Sequence, residues 1–246
     1  MTNKYMYFVA NWKMYGNLSS LNTLDKVIKF SKSKEIKGGR LIYCPPNTLI
    51  SSFSKKFNNC QIGIGGQNCH ESKDYGAHTG HVNSRMLKNI GAHFVIIGHS
   101  ENREQGESDK LINLKIKSAL EAKLKVIFCI GETLNEKRKK KTRSILSKQI
   151  KIGLKNIKDK SKIFLAYEPV WAIGSGLIPK PRDLFGTVEF IKSKFKDKLP
   201  KVLYGGSVNP QNITNLREIN NIDGFLIGGA SQNVKKFIDI VKKTFI

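Results

Sequence analysis

Glu168 is a single carboxylate at the end of an apolar run, Ile163-Phe164-Leu165-Ala166-Tyr167, and Pro169 follows it at once. Such a run has the character of a fully buried parallel strand. Proline locks its own φ and drives the preceding residue into extended geometry, so Glu168 is held at a defined place on the strand's rim. Val170-Trp171 and a Gly174-Ser175-Gly176 tip come next, a stiff hinge and a permissive end. An isolated Glu-Pro pair would read as a solvated turn. The whole of 166–176 reads as a base beneath a lid that can exclude water from a small ligand.

Other residues could join that base. Asn11 and Lys13 follow the first apolar run, two apart and so on one side while the chain stays extended. An amide and an ammonium there suit an oxyanion or phosphate, although alone they read as a surface lysine beside a turn. Gly98-His99-Ser100-Glu101 follows the fourth run. A lone histidine is more often structural, but backbone N–H groups at a helix start would favour the neutral imidazole, which can donate to a carbonyl. Tyr204-Gly205-Gly206-Ser207 and Gly228-Gly229-Ala230-Ser231 follow the last two runs. Barrels commonly build phosphate sites at those two places, from loop amides and a short helix start. Together these residues suit proton abstraction next to a carbonyl in a small phosphorylated sugar. No Ser–His–Asp order, metal-ligand cluster or nucleotide-binding loop is evident.

Eight short apolar runs would position these groups: 5–10, 40–44, 61–65, 94–97, 125–129, 163–167, 202–204 and 224–227. Spaced by roughly thirty residues, each leads into a helical pattern, as a closed (β/α)8 barrel of the α/β class requires. Ser108 is a candidate cap for a helix carrying Leu111, Ile112, Ile116 and Leu120. Pro181 suits the first turn of a helix with Leu184, Phe185, Val188 and Ile191. Ser231-Gln232-Asn233 precedes a last helix carrying Val234, Phe237, Ile238 and Val241. An open doubly wound sheet is the competitor, but Asn11-Trp12-Lys13-Met14 stands where its glycine fingerprint would be. No linker or low-complexity stretch divides the chain, so 1–246 is expected to be one domain.

Bulk properties narrow the function. No apolar run approaches the length of a membrane span. Met1-Thr2-Asn3-Lys4 leads straight into the first strand-like run and leaves no room for a signal peptide. Cys44, Cys60, Cys69 and Cys129 form no C-x-x-C pair, which argues for reduced thiols and a cytoplasmic location. The net charge of +24 raises nucleic-acid binding. The lysines are spread over nearly every helical segment, however, so they read as solvated faces and predict no specific nucleic-acid partner. A positive field also draws in an anionic substrate. The only dense run, at 137–143, falls inside a helical pattern.

The chain resembles the triosephosphate isomerases. It carries A-N-W-K-M at 10–14, G-H-S-E at 98–101, C-I-G-E at 129–132, A-Y-E-P-V-W-A-I-G-S-G at 166–176, Y-G-G-S-V at 204–208 and I-G-G-A-S at 227–231. These motifs run from the first strand to the last. The resemblance implies interconversion of dihydroxyacetone phosphate and D-glyceraldehyde 3-phosphate through an enediol(ate), in glycolysis and gluconeogenesis, with no cofactor and no metal. That family is itself a standard illustration of a glutamate base, a neutral histidine and a closing loop, so these roles come with the resemblance. Glu168 would shuttle the proton, His99 polarise the carbonyl, Lys13 supply charge and Asn11 shape the site. Main-chain groups at Gly174, Ser207, Gly228 and Gly229 would hold the phosphate, with Glu101 in support. A homodimer is also implied, in which the loop at 67–83 brings Thr79 towards the partner subunit's active site.

The chain departs from the family pattern at Asn102, where an arginine is common, at His81, where a glutamate is common, and at Leu177-Ile178-Pro179 in the lid. The first two changes bear on loop packing and the interface, the third on lid motion. His78 and His81 raise a pH-sensitive interface against the plainer reading of exposed loop histidines. A phosphate-binding barrel without activity is the remaining alternative, and the presence of Asn11, Lys13, His99 and Glu168 speaks against it.

Overall fold

A computed structural model describes residues 5–36, 38–195 and 199–245. Met1–Lys4, on which the signal-peptide expectation falls, lie outside the described residues. Eight strands run in chain order: β1 (Met6–Asn11), β2 (Gly39–Cys44), β3 (Gly63–Gly66), β4 (Phe94–Ile97), β5 (Lys125–Ile130), β6 (Ile163–Tyr167), β7 (Lys201–Tyr204) and β8 (Gly224–Ile227). Each pairs in parallel with the next, and β8 pairs with β1 from Tyr7↔Gly224 to Ala10↔Ile227, which closes the barrel. That last pairing rules out an open doubly wound sheet.

Alternation along the strands separates two cores. Val9, Ile42, Ile96, Ile127, Ala166, Leu203 and Leu226 meet inside the barrel. Phe8, Tyr43, Val95, Phe128, Leu165, Val202 and Phe225 point outward beneath the helices. Burying each such side chain contributes about 1.5–3 kcal/mol relative to leaving it in water. The alternation also sets the chemistry, because Val9 leads two residues on to Asn11, and Ala166 to Glu168. Both polar groups inherit the inward face at the barrel's C-terminal mouth.

β3 begins two residues later, and ends one later, than its apolar pattern implies. A Cβ on Gly63 would sit 2.8 Å from Phe94 Cε2, on Gly65 2.7 Å from Cys44 Sγ, and on Gly66 2.7 Å from Leu87 Cδ1. Neighbouring side chains fill the room that β3 leaves, so its own sequence carries little hydrophobic signal.

Helix boundaries follow the caps. Ser108 accepts from Leu111 N and opens the helix Asp109–Glu121, whose Ile112 and Ile116 are buried. Pro181 begins Pro181–Lys192, which buries Leu184, Val188 and Ile191 but leaves Phe185 42% exposed, contrary to its apolar pattern. The last helix, Val234–Phe245, buries Val234, Phe237 and Val241. The basic run at 137–143 is not one helix. Helix Leu134–Arg138 ends there, Lys140 turns at φ 57°, and Thr142–Gly153 begins afresh. Breaking the run spares it the i,i+3 and i,i+4 repulsion of a continuous cationic helix.

Candidate active site

Asn11 ends β1 buried, at 5% exposure. Trp12 N still donates to Cys44 O at 3.1 Å, after which Lys13 turns sharply at φ 54°. A lysine in that region is strained, and three contacts hold it there. Lys13 N donates to Asn11 Oδ1 at 3.2 Å. Gln67, just past β3, donates from Nε2 to Lys13 O and to Cys44 O, both at 2.8 Å. The ammonium pairs with Glu101. Gln67 carried no chemical signal in the sequence, because its role is to tie two loops that lie far apart along the chain.

β4 points Phe94 and Ile96 inward, so simple alternation would turn residue 99 away from the barrel. Gly98 sits at φ 75° and resets the direction, which brings His99 to the mouth. His99 Nδ1 accepts from Glu101 N at 3.2 Å, so the imidazole is the neutral tautomer with its proton on Nε2. That Nε2 lies 3.3 Å from Glu168 Oε1. Arg103 then locks the turn, donating to Gly98 O at 2.8 Å and Cys129 O at 3.1 Å while pairing with Asp109 at 2.7 Å. The Asn102 departure therefore leaves the turn after His99 secured by one arginine.

Glu168 N donates to Ile130 O at 2.8 Å, which continues the sheet. Its carboxyl is 2% exposed as part of the residue, and Oε2 accepts from Ser100 N at 3.4 Å. Burial pushes the Glu168 pKa above the usual carboxylate range. His99, the Ser100 amide, Cys129 and Lys13 pull in the opposite direction but do not win. A carboxylate of raised pKa is a stronger base than an ordinary surface glutamate. The close approach needs Gly205, where a Cβ would lie 2.7 Å from Glu168 Cγ.

After β5, Glu132 is 1% exposed and accepts from Trp171 Nε1 at 3.0 Å and from Tyr167 OH at 3.2 Å. Burial raises its pKa, against the opposing hydrogen bonds. Lys137 Nζ covers the Trp171 ring at 3.2 Å from its centroid. Trp171 is thus anchored on a buried carboxylate, whereas Gly174, Ser175, Gly176 and Leu177 are exposed. Ser207 N donates to Ala172 O at 3.1 Å, which joins the loop after β6 to the loop after β7.

Asn11, Lys13, His99, Glu168, Gly174, Ser207, Gly228 and Gly229 all line one cleft of ≈ 330 Å³ at the C-terminal mouth. Its size falls at the small end of ligand sites. The Lys13 stem runs against the glycine turn, since a Cβ on Gly228 would meet its Cε at 3.3 Å. Ser231 folds that turn by donating from N and Oγ to Gly228 O at 2.8 and 2.7 Å. Glu101 stands behind the cleft on Lys13. Thr79 is apart from it, exposed on the loop after β3. At that loop's root the rings of His70, His78 and His81 pack together, with centroids 4.2 Å (His70–His78) and 4.8 Å (His70–His81) apart. The two loop histidines are therefore neighbours of a third that the sequence did not single out.

Among known proteins, the triosephosphate isomerase family model matches residues 6–244. A triosephosphate isomerase of Thermodesulfovibrio yellowstonii is 40% identical over 245 residues, covering 96% of this chain and 98% of that protein. The Dictyoglomus thermophilum enzyme is 41% identical over 244 residues, with 95% and 97% covered. The crystal structure of triosephosphate isomerase from Bartonella henselae superposes with a TM-score of 0.87 at 35% identity, covering 96% of this chain and 97% of that one. A buried glutamate and a neutral histidine at the mouth of a closed barrel agree with that match, and the chain belongs to the triosephosphate isomerase family, whose enzymes interconvert dihydroxyacetone phosphate and D-glyceraldehyde 3-phosphate.

Proposed function

We propose that Glu168 is the base of this isomerisation and that His99 is the hydrogen-bond donor to the substrate oxygens. Glu168 takes a proton from the carbon next to the carbonyl and returns it to the neighbouring carbon. His99 Nε2–H donates to the carbonyl oxygen as it gains charge in the enediol(ate). Lys13 adds positive charge on the same side, and Asn11 fixes Lys13 through its amide. The observation that carries this reading is that the Glu168 carboxyl and His99 Nε2 lie 3.3 Å apart at the same cleft. Gly174, Ser207, Gly228 and Gly229 form the phosphate cradle, and closure of the lid over them excludes water from the intermediate. A coupled assay of D-glyceraldehyde 3-phosphate conversion tests the assignment with Glu168→Asp. Retracting the carboxylate by one methylene while keeping its charge should cut kcat by about 10²-fold. An unchanged kcat would remove Glu168 from the role.

We also infer that residues 1–246 form one domain that works as a homodimer in the cytoplasm. The first and last strands share one sheet, which supports a single domain. Thr79 projects from the loop at 67–83. Met14 is 93% exposed, Leu18 66% and Tyr75 59%, large apolar side chains that a second copy would cover. All four cysteines are free and three of them are buried, which suits a reducing compartment. No helix among the described residues is long and apolar enough to cross a membrane. Sedimentation should find a dimer at micromolar concentration, and a fully active monomer would overturn this arrangement.

A further inference from the structure

We propose that Lys236 is a second cationic determinant of phosphate recognition, acting across the mouth of the cleft from Lys13; the inference rests on the phosphate-cradle reading above. Lys236 lies in the first turn of the helix Val234–Phe245, where its N donates to Asn233 Oδ1 at 3.0 Å. That bond fixes the turn, and the exposed side chain lines the same cleft as Ser207, Gly228 and Gly229. Lys235, its exposed neighbour, does not line the cleft.

The charge count makes Lys236 matter. Lys13 is already paired with Glu101, and Glu168 adds a negative charge whenever it is ionised. Without Lys236 the cleft offers a phosphate dianion no net positive charge. Among the described residues, no carboxylate lies within ion-pair distance of Lys236, so its charge is uncompensated. A cation near a helix start and a glycine turn adds to the amide field that already points at the phosphate. The spread of lysines over the surface supplies a diffuse field; Lys236 supplies a local one.

The test compares Lys236→Gln, Lys236→Glu and Lys235→Gln in steady-state isomerisation across ionic strength. D-Glyceraldehyde serves as the substrate without phosphate, and inorganic phosphate as competitive inhibitor. A single water-screened charge acting on a dianion should be worth about three- to fivefold. Lys236→Gln is therefore expected to lower kcat/KM for D-glyceraldehyde 3-phosphate by about that factor at low salt, with the loss shrinking as salt rises. The inhibition constant of phosphate should rise in parallel, and Lys236→Glu should exceed both effects. Lys235→Gln removes the same net charge and should have a much smaller effect. Equal effects of Lys235→Gln and Lys236→Gln would overturn the proposal, as would a loss equally large with D-glyceraldehyde. If phosphate fails to compete in the unaltered protein, the cradle reading falls together with the role of Lys236.

Discussion

Replacing Gly205 by alanine would put a Cβ 2.7 Å from Glu168 Cγ and 3.4 Å from its Oε1. Carbon atoms rest comfortably at about 3.5–4.0 Å, so the glutamate side chain must retreat by about 1 Å. The backbone cannot share that movement easily, because Gly205 N donates to Tyr167 O at 2.8 Å and Glu168 N to Ile130 O at 2.8 Å. The Glu168 backbone is also packed closely on Gly131, where a Cβ would lie 1.7 Å from Glu168 O. Gly205 is not among the positive-φ residues, so alanine adds no strain to the chain itself. The collision is therefore confined to the Glu168 side chain. A misplacement of about 1 Å costs about 10²-fold in rate, equivalent to about 2.7 kcal/mol of barrier. Steady-state kinetics of Gly205→Ala with D-glyceraldehyde 3-phosphate should show that loss in kcat, while thermal unfolding confirms a folded protein. A stable variant with kcat within about threefold of the parent would refute the argument that Gly205 exists to admit the carboxylate.

Three further outcomes follow from the two buried carboxylates. Since burial raises the Glu168 pKa, its contribution to stability is present below the ordinary carboxylate pKa and lost as pH rises through the raised folded value. Glu168→Gln should therefore melt above the parent at neutral pH, with the advantage vanishing near about pH 4, while activity falls by about 10²–10⁴-fold; a lower melting temperature at neutral pH would contradict this. The kcat/KM profile of the parent should decline on acidification at a pH above the ordinary carboxylate value, and an inflection at or below that value would show that the base is not perturbed. Glu132→Leu strands Trp171 Nε1–H and Tyr167 OH at a cost of about 2–4 kcal/mol, partly offset because ionised Glu132 is itself disfavoured by burial. Urea unfolding should report a net loss of about 1–3 kcal/mol, and no loss would mean that the lid's hinge is anchored elsewhere.

What the sequence determined by itself is whatever depends on neighbours along the chain. Apolar runs of strand length recurred eight times, Pro169 held Glu168 extended, and Ser108 and Pro181 marked helix starts, because propensity, capping and φ restriction act over a few residues. The structure bears out the closed barrel and brings Asn11, Lys13, His99, Glu168 and the glycine turns to one cleft. Tertiary structure alone decided what depends on contact through space. The room for β3's glycines is filled by Phe94, Cys44 and Leu87, so hydrophobic periodicity misplaced the start of that strand by two residues. Gly98 reverses the inward alternation of β4, an effect visible only in its φ of 75°. Lys140 breaks a helix that composition would have continued. Gln67, Glu132 and Gly205 owe their roles to partners tens of residues away. Local rules can state which groups the chain owns, but only closure of the sheet brings distant loops within hydrogen-bonding distance, and there burial and charge acquire their chemical meaning.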